Sequence, residues 1–466
     1  MKSLPCFKAY DVRGIVGTEI NEDIAYRVGR AFAEHLGARR VAVGSDARLS
    51  GEALKQALAN GLMDGGADVI DIGLSGTEEI YFATSHLGLD GGIEVTASHN
   101  PIDHNGFKFV GPGARPLGMD GEFAAIKQLA SAADFKAPGP RGTLSGSSTL
   151  NAYIGHLLSL VDLSKFQPLR IVADSGNGAA GHVIDTIEAR FKALAVPVEF
   201  VKINHEPDGN FPNGVPNPLL PDRRAATVKA VRDHGADLGI AWDGDFDRCF
   251  FFDETGAFIS GYYIAGILSA IFLDKDPAAR IICDSKLYWN TLDIIEAANG
   301  HAIMSRTGHV FFKEQMRKHG AIYGGEVSAH HYFRDFAYCD SGMIPWLLVV
   351  EHMSATGKRM SELVAGRAAR FASGDEINFV VSDAARVMAG VCEAYQADAL
   401  KIENIDGLGI VFENWRFNLR TSNTEPLLRL NIESRMNASL VDEKIVELAG
   451  VIERLSSSSR AIGKNC

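Results

Sequence analysis

The sequence predicts an α/β protein that is divided into several domains, and three observations support that prediction. The chain has 466 residues, which is about three times the usual domain length. Short β-branched runs alternate with helical patterns over most of this length, as expected of βαβ units with parallel sheets. The alternation is interrupted once by a linker-like stretch and changes character near residue 370. We therefore expect three mixed α/β domains followed by a small α+β domain.

The first domain is expected to cover residues 1–145. Within it the pattern predicts a strand, a helix and two further strands, in that order, over 41–46, 49–67, 68–74 and 92–96. The stretch APGPRGTLSGSS at 137–148 is rich in proline, glycine and serine. Such clusters are typical of loops and linkers, so we place the first domain boundary there.

The alternation restarts in a second domain, 146–255, and continues in a third, 256–369. For the second domain the pattern predicts a helix that ends near 194, with strands at 169–174, 196–203 and 237–242. A third run of strands is expected to follow from CFFFD and to form another mostly parallel sheet, with a helix at 289–298 and strands at 249–253, 279–284, 301–305 and 322–326.

The last domain, 370–466, follows a helical region that ends near Arg370. The pattern predicts a strand at 377–381, a helix, closely spaced strands at 409–413, 415–419 and 427–433, and a last helix at 440–455. Strands that follow one another closely beside helices are typical of an α+β domain.

The composition excludes some classes of function. The formal net charge is -12, whereas binding along a nucleic-acid backbone needs a basic face. We therefore expect no nucleic-acid partner, and we expect an anionic substrate to meet a locally basic pocket. The six cysteines lack C-x-x-C spacing, so free buried thiols are expected rather than disulfides.

The chain shows no segment typical of secretion or membrane insertion. The N-terminal sequence MKSLPCFKAYDVRG has no apolar core of the kind found in signal peptides. The longest strongly apolar run, 262–273, is shorter than the roughly 20 residues that cross a bilayer. These observations predict a cytoplasmic protein without a membrane partner.

The strongest chemical motif is DGDFDR at 243–248, directly after the predicted strand 237–242. Asp243, Asp245 and Asp247 stand at alternate positions, so their oxygens can face one hard cation such as Mg²⁺. A solvated acidic loop is less favoured, because α/β sheets bind ligands at the carboxyl ends of their strands. An EF-hand is disfavoured because Arg248 stands where that loop needs glycine. An aspartyl-phosphate site would need threonine or valine in place of Asp247.

A second motif, TASHNP at 96–101, also follows a predicted strand. Small residues around Ser98 allow a phosphate to approach closely, and the Asn-Pro pair fixes the turn that follows. Ser98 could therefore carry a phosphoryl group. No G-x-S-x-G motif surrounds it to indicate an acyl enzyme.

Two further groups of residues are suited to binding a sugar phosphate. The loop RTSNTEPLLR offers one guanidinium together with hydroxyl and amide donors, a combination that suits a phosphate dianion, in Arg420, Ser422, Asn423 and Thr424. An ordinary polar hairpin loop is the alternative.

The segment GGEVSAHHYF contributes Glu326 and Ser328, which could bind sugar hydroxyls, and His330, which could exchange a proton near neutral pH. A zinc site is disfavoured, since no H-E-x-x-H motif is present. We expect His331 to pack in the core.

These motifs, together with FKAYDVRG at 7–14, occur in the order that is typical of the α-D-phosphohexomutase superfamily. Over nearly its whole length the sequence resembles the bacterial phosphomannomutase and phosphoglucomutase branch of that superfamily. The resemblance implies four domains around a central cleft. Three of them would be of mixed α/β type, and the C-terminal domain would have a TATA-box-binding-protein-like α+β fold.

The resemblance also implies roles for individual residues. Ser98 would carry the phosphoryl group, and its phosphate would complete the Mg²⁺ site of Asp243, Asp245 and Asp247. Arg248 would contact the sugar, and Glu326 and Ser328 would bind its 3- and 4-hydroxyls. The clamp on the distal phosphate would be formed by Arg420, Ser422, Asn423 and Thr424. The other expected contacts of the cleft are Tyr10, Arg13, His99, Lys108, Lys286, His309 and His330, among which Arg13, His99, Lys108 and His330 would be catalytic and His330 or Lys108 would be the general base.

The implied function is a phosphomannomutase that also acts on glucose phosphates. Glucose 1,6-bisphosphate or mannose 1,6-bisphosphate would serve as activator and intermediate, and hexose phosphates would be the only partners of a monomer or weak dimer. The alternatives are a phosphoglucomutase, a magnesium-dependent sugar phosphatase and a non-catalytic sugar-phosphate binding protein. We also expect the last domain to hinge near Arg370.

Overall fold

The computed structural model describes residues 4–118, 121–137, 139–421 and 427–457. The chain forms two compact units. Unit 1 comprises Met1–Ile259 and Ser328–Ser361, and unit 2 comprises Ser260–Val327 and Glu362–Cys466. The chain therefore leaves unit 1 after residue 259, returns to it at residue 328 and ends in unit 2.

Unit 1 begins with a mixed sheet whose strands are β1 (Val12–Ile15), β2 (Arg40–Ser45), β3 (Asp68–Leu74), β4 (Gly91–Val95), β5 (His104–Val110) and β6 (Leu144–Gly146). Their spatial order is β1-β5-β4-β2-β3-β6. The central strands β2, β3 and β4 are parallel, whereas β5 runs antiparallel to β1 and β4. The associated helices are α1 (Glu22–Leu36), α2 (Gly51–Asp64), α3 (Thr77–His86) and α4 (Glu122–Ala132).

The core of this domain lies between the sheet and helices α1, α2 and α4. Helix α1 begins after Asn21, whose side chain accepts a hydrogen bond from Ile24 N at 3.0 Å. Helices α1 and α2 approach closely at Gly29 and Gly61. A Cβ on Gly29 would lie 2.2 Å from Leu58 O, and one on Gly61 would lie 2.0 Å from the carbonyl oxygen of residue 26. Glycine is therefore required at this crossing.

The second sheet of unit 1 contains the strands β7 (Leu169–Asp174), β8 (Val198–Ile203), β9 (Leu238–Trp242), β10 (Cys249–Phe252) and β11 (Phe258–Ile259). The helices of this part of the chain are α5 (Leu150–Ser159), α6 (Gly181–Ala193) and α7 (Ala225–His234). Strand β7 is parallel to β8 and β9, whereas β10 is antiparallel to β9 and β11. The expectation that CFFFD begins the third run of strands is therefore wrong. Only the loop 243–248 separates β9 from β10, and a parallel crossover needs a longer connection.

The next strands belong to unit 2 and are β12 (Arg280–Asp284), β13 (His301–Ser305) and β14 (Tyr323–Gly325). They alternate with the helices α8 (Gly261–Lys275), α9 (Trp289–Ala297) and α10 (His309–His319). Strand β12 is parallel to both β13 and β14, which confirms the predicted parallel sheet. The chain then returns to unit 1, where β15 (His331–Phe333) and β16 (Cys339–Asp340) pair antiparallel and α11 (Ile344–Thr356) follows.

The last part of unit 2 contains α12 (Met360–Arg370), β17 (Phe371–Ser373), β18 (Ile377–Val380), α13 (Ala384–Tyr395), β19 (Lys401–Glu403), β20 (Leu408–Val411), β21 (Trp415–Thr421), β22 (Leu427–Arg435) and α14 (Ser439–Ser457). All the strand pairs described here are antiparallel. The strands share one core with α13 and α14. This arrangement confirms the predicted α+β domain.

The predicted strands 68–74, 169–174 and 301–305 coincide with β3, β7 and β13. The helix predicted over 49–67 is shorter, because it starts only at Gly51 and ends before Gly65 and Gly66. The predicted linker 137–148 contains the short exposed strand β6. The five cysteines that the structure describes are free, and four of them are buried. Among the described helices, none has the length and apolarity needed to span a bilayer.

Candidate active site

Two loops of unit 1 place Ser98 against the predicted aspartates. The serine loop (96–103) follows β4 and the aspartate loop (243–248) follows β9, so both begin at the carboxyl end of a buried strand. Ser98 Oγ donates a hydrogen bond to Asp243 Oδ2 at 2.7 Å. A Cβ on Gly244 would lie 2.5 Å from Ser98 O. Glycine at position 244 therefore lets the two backbones approach closely enough for this contact.

The backbone of Ser98 is held in an unusual conformation. Its φ is 51°, in the left-handed region, where a residue with a side chain pays about 1 kcal/mol or more. Ser98 N donates to Thr96 Oγ1 at 2.8 Å, and Ser98 Oγ lies 2.9 Å from His99 Nδ1. The surrounding loop thus fixes a strained turn that directs the hydroxyl toward the aspartates.

The three aspartates of the second loop form a buried cluster. Asp243 and Asp245 are fully buried, Asp247 is 2% exposed, and one oxygen from each lies within 4.8 Å of the others. Within the described residues, Asp245 Oδ1 and Asp247 Oδ1 form no hydrogen bond. Because buried polar atoms normally have partners, oxygens left open in a carboxylate cluster fit a small hard cation. These residues could hold a divalent metal ion.

Lys108 on β5 lies between two of these carboxylates. Its Nζ donates to Asp245 Oδ2 at 2.6 Å and also to Asp247. Burial acts to raise the pKa of Asp245, but the charge and hydrogen bond of Lys108, together with Thr77 and Arg13, outweigh it, so that pKa is lowered. Burial, reinforced by Asp245, raises the pKa of Asp247 to about 6. The pKa of Lys108 is raised because the aspartates outweigh its burial, so Lys108 is a cation in this arrangement.

Arg248 and two histidines complete the wall around the aspartates. Arg248 Nε and Nη2 donate to Asp243 Oδ2 at 2.9 and 2.7 Å, and Nη2 also contacts His99 Nδ1. Burial and the charge of Arg248 lower the pKa of His99, which keeps its ring neutral. His330 Nε2 lies 3.7 Å from Asp247 Oδ1, and its Nδ1 lies 3.1 Å from Ser328 Oγ.

Arg13 on β1 connects its own strand to the serine loop. Its Nε donates to Asp11 Oδ2 and its Nη1 donates to Asn100 Oδ1, both at 2.8 Å. Tyr10 precedes this strand and is half-buried. Unit 1 therefore contains eleven of the predicted site residues, which are Tyr10, Arg13, Ser98, His99, Lys108, Asp243, Asp245, Asp247, Arg248, Ser328 and His330.

Unit 2 contains the remaining predicted residues that the structure describes. Asp284, at the end of β12, accepts from Lys286 N at 3.0 Å, and its Oδ2 lies 3.4 Å from Lys286 Nζ. Glu326 Oε1 accepts from Gly308 N at 3.0 Å, directly before His309 begins α10. Lys286 and Glu326 thus lie on loops that follow β12 and β14, and His309 begins the helix that follows β13.

Arg420 is the next-to-last residue of strand β21 in unit 2 and is 8% exposed. Its Nη2 donates to Glu376 Oε2 at 3.1 Å, and its Nε lies 4.0 Å from Asp406 Oδ2. Asp406 Oδ2 also accepts from Thr307 N at 3.2 Å, so Arg420 lies near the turn that precedes α10. The predicted residues Ser422, Asn423 and Thr424 lie outside the described residues.

Several residues of these sites were not predicted from the sequence. Asp46, Arg48 and Thr77 follow β2 and β3 in unit 1, and Asp284 ends β12 in unit 2. All four stand at the carboxyl ends of parallel strands, where α/β sheets bind ligands. A search of every predicted strand end would have found them. Glu376 and Asp406 carry no such positional signal.

The comparisons with known proteins agree with this arrangement. Family models for the phosphoglucomutase/phosphomannomutase α/β/α domains I, II and III match residues 5–137, 151–256 and 260–371, and the model for the C-terminal domain matches residues 376–451. Four domains in this order confirm the predicted four-domain architecture.

Individual relatives match over nearly the whole chain. A phosphomannomutase of Escherichia coli is 56% identical over 97% of this chain and 100% of its own length. A phosphomannomutase of Vibrio cholerae is 54% identical over 98% of this chain and 100% of its own length. A phosphoglucomutase/phosphomannomutase family protein of Burkholderia thailandensis superimposes with a TM-score of 0.86 at 30% identity, covering 97% of this chain and 98% of its own. The chain therefore belongs to the phosphoglucomutase/phosphomannomutase family and is an isomerase of the phosphohexomutase type.

Proposed function

We propose that this enzyme interconverts mannose 6-phosphate and mannose 1-phosphate, and that Ser98 carries the phosphoryl group between them. The observation that supports this most directly is the 2.7 Å hydrogen bond from Ser98 Oγ to Asp243, beside Asp245 and Asp247. A serine hydroxyl among buried carboxylates is poorly placed to bind an anion by itself, because the like charges repel. It becomes well placed when a cation neutralises the cluster.

Asp243, Asp245 and Asp247 are proposed to hold Mg²⁺, which when bound would neutralise charge on the transferring phosphoryl group. Lys108 and Arg248 add positive charge on either side of the carboxylates. The positions of these side chains are fixed by burial and ion pairs, so they need little reorganisation during the reaction.

In the proposed reaction a hydroxyl oxygen of the hexose monophosphate attacks the phosphorus on Ser98. The new P–O bond to the sugar forms as the bond to Ser98 Oγ breaks, and the sugar hydroxyl loses its proton to a base. The resulting hexose 1,6-bisphosphate reorients, and Ser98 Oγ attacks its other phosphorus. The bond from that phosphorus to the sugar oxygen breaks, and the sugar oxygen takes the proton back from the base. The net change moves the phosphate between O1 and O6 and regenerates the enzyme.

His330 is the better supported general base of the two candidates. Its ring lies within 3.7 Å of Asp247, beside the aspartate cluster, and its other nitrogen is oriented by Ser328. Lys108 lies between two carboxylates and holds its proton there. We therefore propose that His330 accepts the proton, while Lys108 and Arg13 stabilise negative charge.

Unit 2 is proposed to bind the part of the substrate that does not react. Glu326, with Ser328 of unit 1, would bind the 3- and 4-hydroxyls of the sugar, as the resemblance implies. Lys286, His309 and Arg420 would contact the sugar and its distal phosphate, together with Ser422, Asn423 and Thr424. Support comes from the cationic groups of Lys286 and Arg420, which are buried but aligned by hydrogen-bonded carboxylates.

The remaining proposals concern organisation and location. We propose domain boundaries at 1–145, 146–255, 256–369 and 370–466, which the ranges of the four family models support. We also propose a cytoplasmic monomer or weak dimer whose partners are hexose phosphates, with glucose 1,6-bisphosphate or mannose 1,6-bisphosphate as activator.

The proposal is tested by comparing turnover of mannose 1-phosphate and glucose 1-phosphate, each with Mg²⁺ and a trace of glucose 1,6-bisphosphate. We expect both to be converted to their 6-phosphates, with higher kcat/KM for mannose 1-phosphate. Higher kcat/KM for glucose 1-phosphate would identify a phosphoglucomutase instead. Release of inorganic phosphate without formation of the isomer would identify a phosphatase.

A further inference from the structure

The serine loop is tied together by an arginine that makes no contact with the reacting hydroxyl. Arg48 follows β2 and is 4% exposed. Its Nη2 donates to Ser98 O at 2.9 Å and to Asn100 O at 2.6 Å. Its Nη1 donates to the carbonyl oxygens of Pro101 at 2.8 Å and His104 at 2.9 Å. One guanidinium therefore binds four carbonyl oxygens of the segment 98–104.

Asp46 binds Arg48 and, through Thr96, also contacts the serine loop. Its Oδ1 accepts from Arg48 N at 2.9 Å, and its Oδ2 lies 3.5 Å from Arg48 Nε. Thr96 Oγ1 donates to Asp46 Oδ2 at 2.6 Å while accepting from Ser98 N at 2.8 Å. The amide and the carbonyl of Ser98 are thus both bound, one through Thr96 and the other by Arg48.

These contacts account for the conformation of Ser98. A φ of 51° is unfavourable for serine, so the surrounding structure has to stabilise it. Hydrogen bonds from a cation to buried carbonyls are stronger than neutral ones and specify direction. Phe211 lies over the guanidinium at 5.6 Å, which adds a further attraction.

We propose that Arg48 is the positioning residue that sets the orientation of Ser98 Oγ for phosphoryl transfer, with Asp46 and Thr96 as its supports. Arg48 contacts only backbone oxygens in this loop, so it acts through Ser98. Misplacement of a reacting atom by about 1 Å can reduce a rate about 100-fold. This inference rests on the proposed function for its kinetic consequences but not for its structural ones.

Arg48→Lys tests the geometry of the fork. Lysine keeps the charge but offers three donors on one nitrogen, which cannot bind the same four oxygens. We expect kcat to fall about 100-fold, with KM for mannose 1-phosphate changed less than about 3-fold. Phosphorylation of Ser98 by glucose 1,6-bisphosphate, followed by intact mass, should slow in parallel. A folded Arg48→Lys enzyme with the wild-type kcat would overturn the proposal.

Chemical rescue separates positioning from a general loss of structure. For Arg48→Ala we expect guanidinium at about 20 mM, far below denaturing concentrations, to restore activity about 10-fold, whereas ammonium should not. Thr96→Val removes the other support and should not respond to guanidinium. Arg170→Ala is the matched control, because Arg170 pairs with Glu199 at the surface. Failure of guanidinium to rescue a folded Arg48→Ala enzyme would contradict the proposal.

Hydrogen exchange gives a readout that does not depend on the reaction. In Arg48→Lys, amides of the segment 98–104 should lose protection, while those of α1 and α2 should keep theirs. Equal loss of protection throughout the domain would mean that Arg48 is merely structural and would overturn the inference. If wild-type Ser98 accepts no phosphoryl group, the proposed function fails, but this exchange pattern still decides the role of Arg48.

Discussion

The two units arrange their buried charges differently. In unit 1, three aspartates lie within reach of one another, and Asp245 and Asp247 keep oxygens without hydrogen bonds, although Lys108 and Arg248 are paired with the cluster. In unit 2, the cations are also paired with carboxylates, but no such cluster of three occurs there among the described residues. Lys286 lies beside Asp284, and Arg420 lies beside Glu376.

This difference separates two tasks. A carboxylate cluster with open oxygens is suited to binding a cation, and so to stabilising charge that develops during the reaction. Cations already paired with carboxylates are suited to recognising an anion, which competes with those carboxylates for the same donors. We therefore expect changes in unit 1 to act mainly on kcat and changes in unit 2 to act mainly on KM.

The largest effect is expected from Asp245→Asn. This change removes a negative charge from the cluster, so kcat should fall about 1000-fold, with half-activation shifted to higher Mg²⁺. The measurement is turnover across a Mg²⁺ titration.

The control for Asp245→Asn is Asp253→Asn, another buried aspartate of unit 1 that accepts hydrogen bonds within a turn. The control variant should lose stability but keep kcat and its Mg²⁺ dependence. Wild-type Mg²⁺ activation in Asp245→Asn would remove the basis of the comparison.

Arg420→Lys should show the opposite pattern. Lysine keeps the charge but loses the planar fork, so KM for hexose phosphates should rise about 10-fold while kcat changes less than about 3-fold. Steady-state kinetics with mannose 1-phosphate measure both. Arg170→Lys, at an exposed arginine that pairs with Glu199, should leave both parameters unchanged. A fall in kcat alone for Arg420→Lys would place this residue with the reacting groups.

Glu376→Gln tests the same difference between the units with a change that should lower KM instead of raising it. Glu376 accepts hydrogen bonds from Arg420 and Arg429, and its charge competes with a phosphate for them. Removing that charge should lower KM about 3-fold at low salt and strengthen the dependence of KM on ionic strength, because the site becomes more positive and salt screens its attraction for phosphate. Kinetics at low and high salt test this. A higher KM would show that Glu376 is needed to orient the arginines.

The smallest effect is expected for the ion pair between His182 and Glu79 in unit 1. Burial acts to lower the pKa of His182, but Glu79, whose Oε2 lies 3.0 Å from its Nε2, outweighs burial and raises it. The stabilisation by this pair is therefore complete below the ordinary histidine pKa and is lost as pH rises through the raised value.

Glu79→Gln should therefore destabilise the protein by about 0.5–1 kcal/mol more near pH 6 than near pH 9. Urea unfolding at both pH values measures the difference. A destabilisation that does not depend on pH would show that Glu79 acts through its contacts at the start of α3 instead.

The sequence was informative wherever a motif followed a strand. TASHNP and DGDFDR each follow a short apolar run, so the sequence could predict that each lies at the carboxyl end of a strand. Because β4 and β9 belong to different sheets, the contact between Ser98 and Asp243 could be expected only from the family resemblance. The pairing of β10 with β9 was missed because its apolar run has no period that distinguishes parallel from antiparallel strands. The position of Lys108 between two aspartates depends on contacts across more than 130 residues, for which local patterns carry no signal.

The central claim is that Ser98 carries the phosphoryl group that is exchanged with the sugar. The most direct measurement treats the enzyme with glucose 1,6-bisphosphate, maps the modified peptide by mass spectrometry, and then adds mannose 6-phosphate. We predict one phosphoryl group on Ser98, its loss when the sugar is added, and the formation of mannose 1,6-bisphosphate. A phosphoryl group on another residue, or its release only as inorganic phosphate, would contradict the account.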